Sequence, residues 1–482
     1  MDTESPEIVS PKNTGKISSV CYLLYAAGCL ALGVLSLRDL LGGYAWTFAV
    51  PLSSVMAIGF KGGGLSAYFA LILSVLGFAV SIYSAGYTRH SEAPWTSVLL
   101  FGIFLASMYA VFFSANIPAF LISWETMSLA SYFLVVSDTE NQEAARAGLF
   151  YGVMTHVGTA FIIAAFMVMY LATGSLEFAA IKAGLQGSGT LRSVIFVLSL
   201  IGFGTKAGII PLHTWLPRAH PAAPSNVSAL MSGVMIKSGI YGILFVSLDV
   251  LGGLGGGGSL WWGVVVLCAG AVSSVMGIMY ALMERDIKRL LAYSSVENVG
   301  IILLGIGGSI IFSVNGLPAL AGLSLAAALY HTLNHAVFKG LLFMGAGSAV
   351  HAMGTKNMEK MGGLIKRMPW TALFFLTGSV AICALPPFNG FVSEWLTFQS
   401  LVLGIKTSIV LTKTFMLLAG AALALTGALA ASSFVKAFGI SFLGVPRSRE
   451  AEDAHEASFT MLFGMGFLSI LCLLLGIFPG YV

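Results

Sequence analysis

The stretch LYHTLNHAVFKG, residues 329–340, carries His331, His335 and Lys339 at i, i+4 and i+8 inside an otherwise apolar run. A helix would hold all three as one slowly drifting stripe. Three kinds of chemistry fit such a stripe. Two histidines four residues apart have the spacing of a metal-binding helix, but Thr332 stands where a metalloprotease motif has Glu, and no third ligand is evident. Core histidines satisfied by neighbouring helices are a second reading. The third is a polar stripe that holds water and passes protons, supported by Thr332, Asn334 and the near-neutral pKa of histidine.

Other ionisable residues also fall in apolar runs: Glu125, His156, Lys206, Lys237, Glu297, Glu394, Lys413 and Lys436. One charge at a bilayer centre costs roughly 2.5–3.5 kcal/mol, so the set costs on the order of 10 kcal/mol or more, too much to be incidental. Lys413 and Lys436 can lie near the ends of a long run and snorkel. Lys206, between IGFGT and AGII, has no such escape, and Glu125 lies in the middle of PAFLISWETMSLASYFLVV. Glu297, in YSSVENVGIILLG, opens a run and can be interfacial. Burial raises carboxylic acids and lowers amines towards the range where protons exchange at neutral pH. Glu and Lys spread over several spans therefore read as a proton relay.

The elements that position these groups are helices in a bilayer. Of 482 residues, 57% are hydrophobic and 9% charged, against about 25% charged in soluble domains. Thirteen apolar runs of spanning length are predicted near 18–38, 65–87, 96–115, 117–136, 147–172, 191–211, 225–249, 260–283, 289–311, 317–350, 369–404, 408–442 and 458–480. The runs at 317–350, 369–404 and 408–442 are too long for one straight crossing. Two segments, GTKAGIIPLHTWLPRAHPAAPS (204–225) and ALPPFNGFVSEWLTFQS (384–400), hold proline clusters that break a helix and leave backbone groups that hydrocarbon cannot satisfy.

Each break is paired with a charge, Lys206 before Pro211 and Glu394 after Pro386 and Pro387, and the two broken spans are five apart. An offset of five reverses membrane direction, which predicts two inverted five-helix repeats at 96–249 and 260–442, flanked by 1–95 and by a loop and final span at 443–482. Broken helices at matching positions of inverted repeats point to an ion site. Fourteen Lys and Arg lie in the N-terminal tail and even loops against five in the odd loops, which places the N-terminus in the cytoplasm and the C-terminus outside by the positive-inside rule. The first 17 residues lack the features of a signal peptide. The five cysteines show no CxxC and no iron-sulfur spacing, so no redox centre or metal is expected in the chain.

At these residues the chain resembles the antiporter-like subunits of respiratory complex I, Mrp-type cation/proton antiporters and membrane-bound hydrogenases. SWETMSLASYFLV, GTKAGIIPLHTWLPRAHPAAPSNVSALMSGVMIKSGIYG and LYHTLNHAVFKGLLFMGAGSAVH carry that resemblance across nearly all of residues 65–445. LLAYSSVENVGIILLG, ALPPFNGFVSEWLTFQSL and GISFLGVPRS bring it nearest to the antiporter-like membrane subunit of formate hydrogenlyase and hydrogenase-4, the group 4 [NiFe]-hydrogenase branch.

The resemblance implies an all-α polytopic fold of 13 to 14 transmembrane helices in a cytoplasmic membrane, translocating H+ or exchanging H+ for Na+. Hydrogenase-type large and small subunits would carry the NiFe and iron-sulfur clusters, with no cofactor in this chain. By position, Glu125 and Lys206 would form a charge pair, Lys237 a bridge, His331, His335 and Lys339 a central relay and Glu394 the terminal group, and Glu297 is counted with them in the proton pathway. The alternative is an Mrp-type antiporter subunit or an antiporter-like subunit of an NADH-quinone oxidoreductase. Two departures are expected: one N-terminal helix fewer than the family core of 14, and no long lateral helix after the last span.

Overall fold

A computed structural model describes residues 11–51, 57–89, 95–137, 142–185, 189–253 and 258–481. The chain begins with α1 (Pro11–Gly42), followed by an antiparallel hairpin of β1 (Trp46–Pro51) and β2 (Ala57–Gly62), in register from Trp46 opposite Gly62 to Pro51 opposite Ala57. The sequence pattern predicts no strand here. The segment is too short and too polar at its ends to cross a bilayer, and its residues pair their backbones across the hairpin instead.

Then come α2 (Leu65–Tyr87), α3 (Trp95–Phe113), α4 (Ile117–Val135), α5 (Gln142–Thr173), the short α6 (Phe178–Gly184), α7 (Gly189–Ala207) and α8 (Leu216–Ala222). A single helical rod over residues 225–250 consists of α9 (Ser225–Leu230), a π turn at Met231–Met235, α10 (Ile236–Leu244) and a second π turn at Phe245–Val250. The second half holds α11 (Leu260–Met283), α12 (Ile287–Val314), α13 (Pro318–Met353), α14 (Pro369–Ile382), α15 (Asn389–Val402), α16 (Val410–Phe442), the short α17 (Arg449–Glu452) and α18 (Phe459–Ile477).

Among the described residues, 11 helices are long and apolar enough to cross a membrane: α1, α2, α3, α5, α7, the 225–250 rod, α11, α12, α13, α16 and α18. The chain is an all-α polytopic membrane protein, but the count of 13 to 14 is not reached by these helices alone. Two of the expected runs account for the difference. Helix α4 contains the polar string SWET around Glu125, and the run at 369–404 is split into two helices of 14 residues each. Of the three overlong runs only this one is broken; α13 and α16 continue unbroken for 36 and 33 residues.

Both proline clusters interrupt their helices. After α7, Gly208 adopts φ 80° and the Ile210–Pro211 bond is cis; after α14, Ala384 adopts φ 52° and the Pro386–Pro387 bond is cis. The freed backbone groups of the first break find protein partners, as they must away from water. The Ile210 N–H donates to Ser273 Oγ at 3.1 Å, and the Trp215 indole N–H to the Thr205 carbonyl at 2.8 Å. At the second break Gly390 is required: a Cβ there would lie 1.9 Å from the Ala381 carbonyl oxygen.

Helix α12 is the buried axis of the second half, and glycines let α11 cover it. At seven-residue spacing on α11, Gly263 faces Gly307, Gly270 faces Gly300 and Gly277 faces the Tyr293 and Glu297 backbone of α12. A Cβ on Gly300 would come within 2.4 Å of the Ser274 backbone nitrogen. Backbones this close form the small-residue packing that holds membrane helices together without a hydrophobic driving force.

Candidate functional site

Glu125, on α4, is half-buried, and its ionisable partner is His156 on α5, with Nε2 3.5 Å from Glu125 Oε2. Its Oε1 is buried without a partner. Lys206, near the end of α7, is 3% exposed and donates to Ser128 Oγ and to the Tyr151 hydroxyl, each at 3.1 Å. Its ammonium also sits 5.8 Å and 5.3 Å from the ring centres of Trp124 and Tyr151, a cation–π cage. The two members of the expected charge pair, Glu125 and Lys206, are not in direct contact: Glu125 meets His156, and Lys206 meets Ser128 and Tyr151. Glu125 and Ser128 are three residues apart on α4, and it is Ser128 that faces Lys206.

Tyr151 joins this cluster to the next. Its hydroxyl shares a 2.6 Å bond with Ser131 Oγ and donates to Met235 Sδ at 3.5 Å, two residues before Lys237. The π turn at Met231–Met235 gives the local backbone an extra residue per turn, a feature concentrated at functional sites. The Lys237 ammonium donates to the Ser232 carbonyl at 2.6 Å, and Ser232 Oγ bonds Ser295 Oγ on α12 at 2.7 Å.

From there the buried polar contacts continue along α12. Lys339 donates to Ser294 Oγ at 2.5 Å and to the Leu291 carbonyl at 2.8 Å. Asn298 Nδ2 donates to the Ser294 carbonyl at 2.8 Å and to Glu297 Oε2 at 3.3 Å, which leaves Asn298 Oδ1 to face His331 Nε2 at 3.1 Å. With Oδ1 an acceptor, Nε2 of His331 carries the proton. His331 Nδ1 meets Ser393 Oγ on α15 at 2.9 Å. The Ser393 hydroxyl also has the Gly390 and Asn389 carbonyls within 3.2 and 3.4 Å. Ser393 can thus donate to neutral His331, or turn to a carbonyl when Nδ1 is protonated, and the site accepts either state.

Glu394 follows Ser393 and is half-buried beside Trp395, which is 49% exposed. Glu125 and Glu394 are both half-buried, whereas Lys206, Lys237, Glu297, His331, His335 and Lys339 are all at most 3% exposed. Glu297 is not interfacial as its sequence position allowed: α11 covers it, with the Glu297 backbone nitrogen 2.6 Å from where a Cβ on Gly277 would lie.

The stripe on α13 is not a direct ladder. His331 and His335 rings stack 6.3 Å apart, but neither nitrogen of His335 has a partner, and Thr332 bonds only the Ala328 carbonyl of its own helix. Asn334 and Asn389 clamp α13 to the start of α15. Lys436 lies outside the row; it donates to the Leu282 and Glu284 carbonyls at 2.8 and 2.6 Å, a structural role at the end of α11. Among the described residues no group of three or more His, Cys, Asp or Glu side chains is gathered to hold a metal.

Sequence reasoning passed over Ser128, Tyr151, Ser232, Ser294, Ser295, Asn298 and Ser393. The available signal was Ser294, Ser295, Glu297 and Asn298 together within one turn of an otherwise apolar run, which puts four polar groups into the interior of a spanning helix.

Residues 114–419 match the family described as "NADH:quinone oxidoreductase/Mrp antiporter, TM". The chain is 48% identical over 415 residues to Hydrogenase-4 component B of Escherichia coli (strain K12), covering 86% of this chain and 61% of that protein. It is 37% identical over 413 residues to Formate hydrogenlyase subunit 3 of the same organism, covering 86% and 66%. It spans less than two thirds of the length of either relative. A chain of the Mrp complex from Dietzia sp. DQ12-45-1b superposes with a TM-score of 0.82 at 21% identity, covering 98% of this chain and 93% of that one, a likeness of fold.

Proposed function

The chain belongs to the NADH:quinone oxidoreductase/Mrp antiporter transmembrane family, and on that basis we propose that it is an ion-translocating membrane subunit of a complex I-like, hydrogenase-linked energy-converting complex. It moves H+, or exchanges H+ for Na+, while hydrogenase-type large and small subunits carry NiFe and iron-sulfur clusters and perform the redox chemistry. The observation that carries the reading is the row of buried polar side chains crossing the chain sideways, from Lys206 and Tyr151, through Lys237 and the α12 serines, to Lys339, His331 and Ser393. Polar and ionisable side chains inside a membrane are costly and mark ion pathways, which is what supports the reading.

In this reading the two halves, 96–249 and 260–442, are inverted repeats, and the half-buried Glu125 and Glu394 meet neighbouring membrane subunits. A change of charge at the Glu125–His156 pair alters the field at Lys206, whose partner Ser128 lies one turn from Glu125 on α4. Coupling of a few kcal/mol at an effective dielectric near 20 is enough to change a protonation equilibrium roughly ten- to hundredfold. Lys206, Lys237 and Lys339 respond in turn, and a proton leaves by His331 and Glu394. The membrane is the cytoplasmic one, with the N-terminus inside. Gathering of Arg146, Arg218, Arg289 and Lys356 around one cavity supports that sidedness, as does the Lys182–Asp249 pair between two odd-loop segments.

The test is electron-transfer-linked acidification of inverted membrane vesicles holding the complex. Lys206→Ala and Glu125→Ala are each expected to abolish acidification while the complex still assembles; wild-type acidification by both variants would overturn the proposal. The fold likeness to the Mrp complex chain favours one rival, a cation/proton antiporter subunit. Purification decides between them: nickel and iron-sulfur proteins co-migrate with this chain only in the first case.

A further inference from the structure

The stripe on α13 repeats every four residues, and the position after Lys339 is Phe343. Against the Phe343 ring, with centroids 5.1 Å apart and planes inclined 27°, lies the imidazole of His220, contributed by α8. His220 is 0% exposed, and neither ring nitrogen has a hydrogen-bond partner. Its backbone is fixed all the same. Ser228 donates to the His220 carbonyl at 2.9 Å, Lys356 donates to the Pro221 carbonyl, and Lys288 donates to the Ala223 carbonyl at 2.5 Å. The ring it stacks on, Phe343, stands one turn after Lys339 on α13, and Lys288 reaches the backbone three residues after His220. A held imidazole with two idle nitrogens is costly in a dry interior, and its cost falls if water reaches it.

A cavity lies close at hand. Pro217, Arg218, Pro221 and Ala222, immediate chain neighbours of His220, line a cavity of about 380 Å³ together with Arg146 and Lys356, at the end of the bundle where the basic loops gather. That volume admits several waters, and the lining supplies their polar partners.

We propose that His220 connects this cavity to the buried lysines, so that α8 supplies the missing fourth position of the α13 stripe and forms the proton-access limb of the second half of the path. The inference rests on the ion-translocation reading above. One ring nitrogen takes a proton from cavity water, and the other gives a proton up towards Lys339 and Lys237. Only N–H and O–H bonds form and break, no electrons move, and a tautomer exchange restores the ring.

The native complex in inverted vesicles provides the test. His220→Gln and His220→Phe are expected to lower ions moved per electron at least roughly tenfold, with the uncoupled electron flux and the amount of assembled complex within about twofold of wild type. Full translocation by either variant overturns the proposal and leaves His220 as packing against Phe343. Separately, His220→Cys should react with a small water-soluble, membrane-impermeant thiol reagent from the basic face and not from the other. A thiol unreactive from the basic face shows that cavity water does not reach this position and overturns the proposal whatever the wild type does. A wild-type complex that translocates no ion defeats the functional reading itself, and the labelling result tells that failure from this one.

Discussion

Removing the single oxygen of Tyr151 tests the geometry of the first half most directly. The hydroxyl is 0% exposed and accepts from Lys206 at 3.1 Å, while the ring lies 5.3 Å from the same ammonium and 4.9 Å from the Trp215 ring. Tyr151→Phe keeps the ring, hence the cation–π contact and the packing on Trp215, and Lys206 retains Ser128. The loss is one hydrogen bond to a charged group, about 1.5–3 kcal/mol, together with the link towards Met235 and Lys237. At about 1.4 kcal/mol per factor of ten, any step that needs the Lys206 ammonium held in place slows roughly ten- to hundredfold. The assay is dye-reported acidification of inverted vesicles normalised to electron flux, with an uncoupler to measure flux alone. Ions per electron should fall at least tenfold while uncoupled flux is unchanged. Ser131→Ala is the control: Ser131 touches Tyr151 and the Met127 and Ser128 carbonyls but not Lys206, so its ratio should stay within about twofold of wild type. A wild-type ratio in Tyr151→Phe would refute the reasoning that this hydroxyl positions Lys206.

Three further outcomes follow from the packing. Gly300→Val should sharply reduce folded protein in the membrane, measured by fluorescence-detected size exclusion, because the new side chain meets the Ser274 and Gly270 backbones at 2.4 and 2.6 Å and these cannot swing aside. Lys436→Met should lower the Tm of the detergent-solubilised protein by a few degrees, through loss of two carbonyl partners, yet leave ions per electron at the wild-type value, unlike any change at Lys206. Asn298→Leu, close to isosteric, removes the partner of His331 Nε2; it should slow translocation roughly tenfold with assembly intact, and unchanged translocation would exclude Asn298 from the path.

Much of the architecture was legible because it is local. The runs at 65–87 and 260–283 coincide with α2 and α11 to the residue, since the bilayer imposes length and hydropathy on each helix separately. Both breaks fall at their prolines for the same reason, the missing N–H and the ring clash being covalent properties of the segment. The expected hydropathy failed where polar residues and prolines intrude, in α4 around Glu125 and at the break between α14 and α15.

What the sequence determined by itself was therefore a polytopic bundle, its two interrupted helices, and a set of ionisable side chains too costly to be incidental in lipid. Tertiary structure decided how those side chains are connected. Lys206 meets Ser128 and Tyr151, 78 and 55 positions away, rather than Glu125. Glu297 is interior because the α11 glycines admit α12 to backbone contact, and His331 reaches Asn298 and Ser393 instead of passing directly to His335. His220 arrives beside Phe343 from 123 positions away. Hydropathy fixes which residues lie within the membrane one helix at a time, but a hydrogen bond between helices depends on their rotation and approach, and those are set only when the helices pack together.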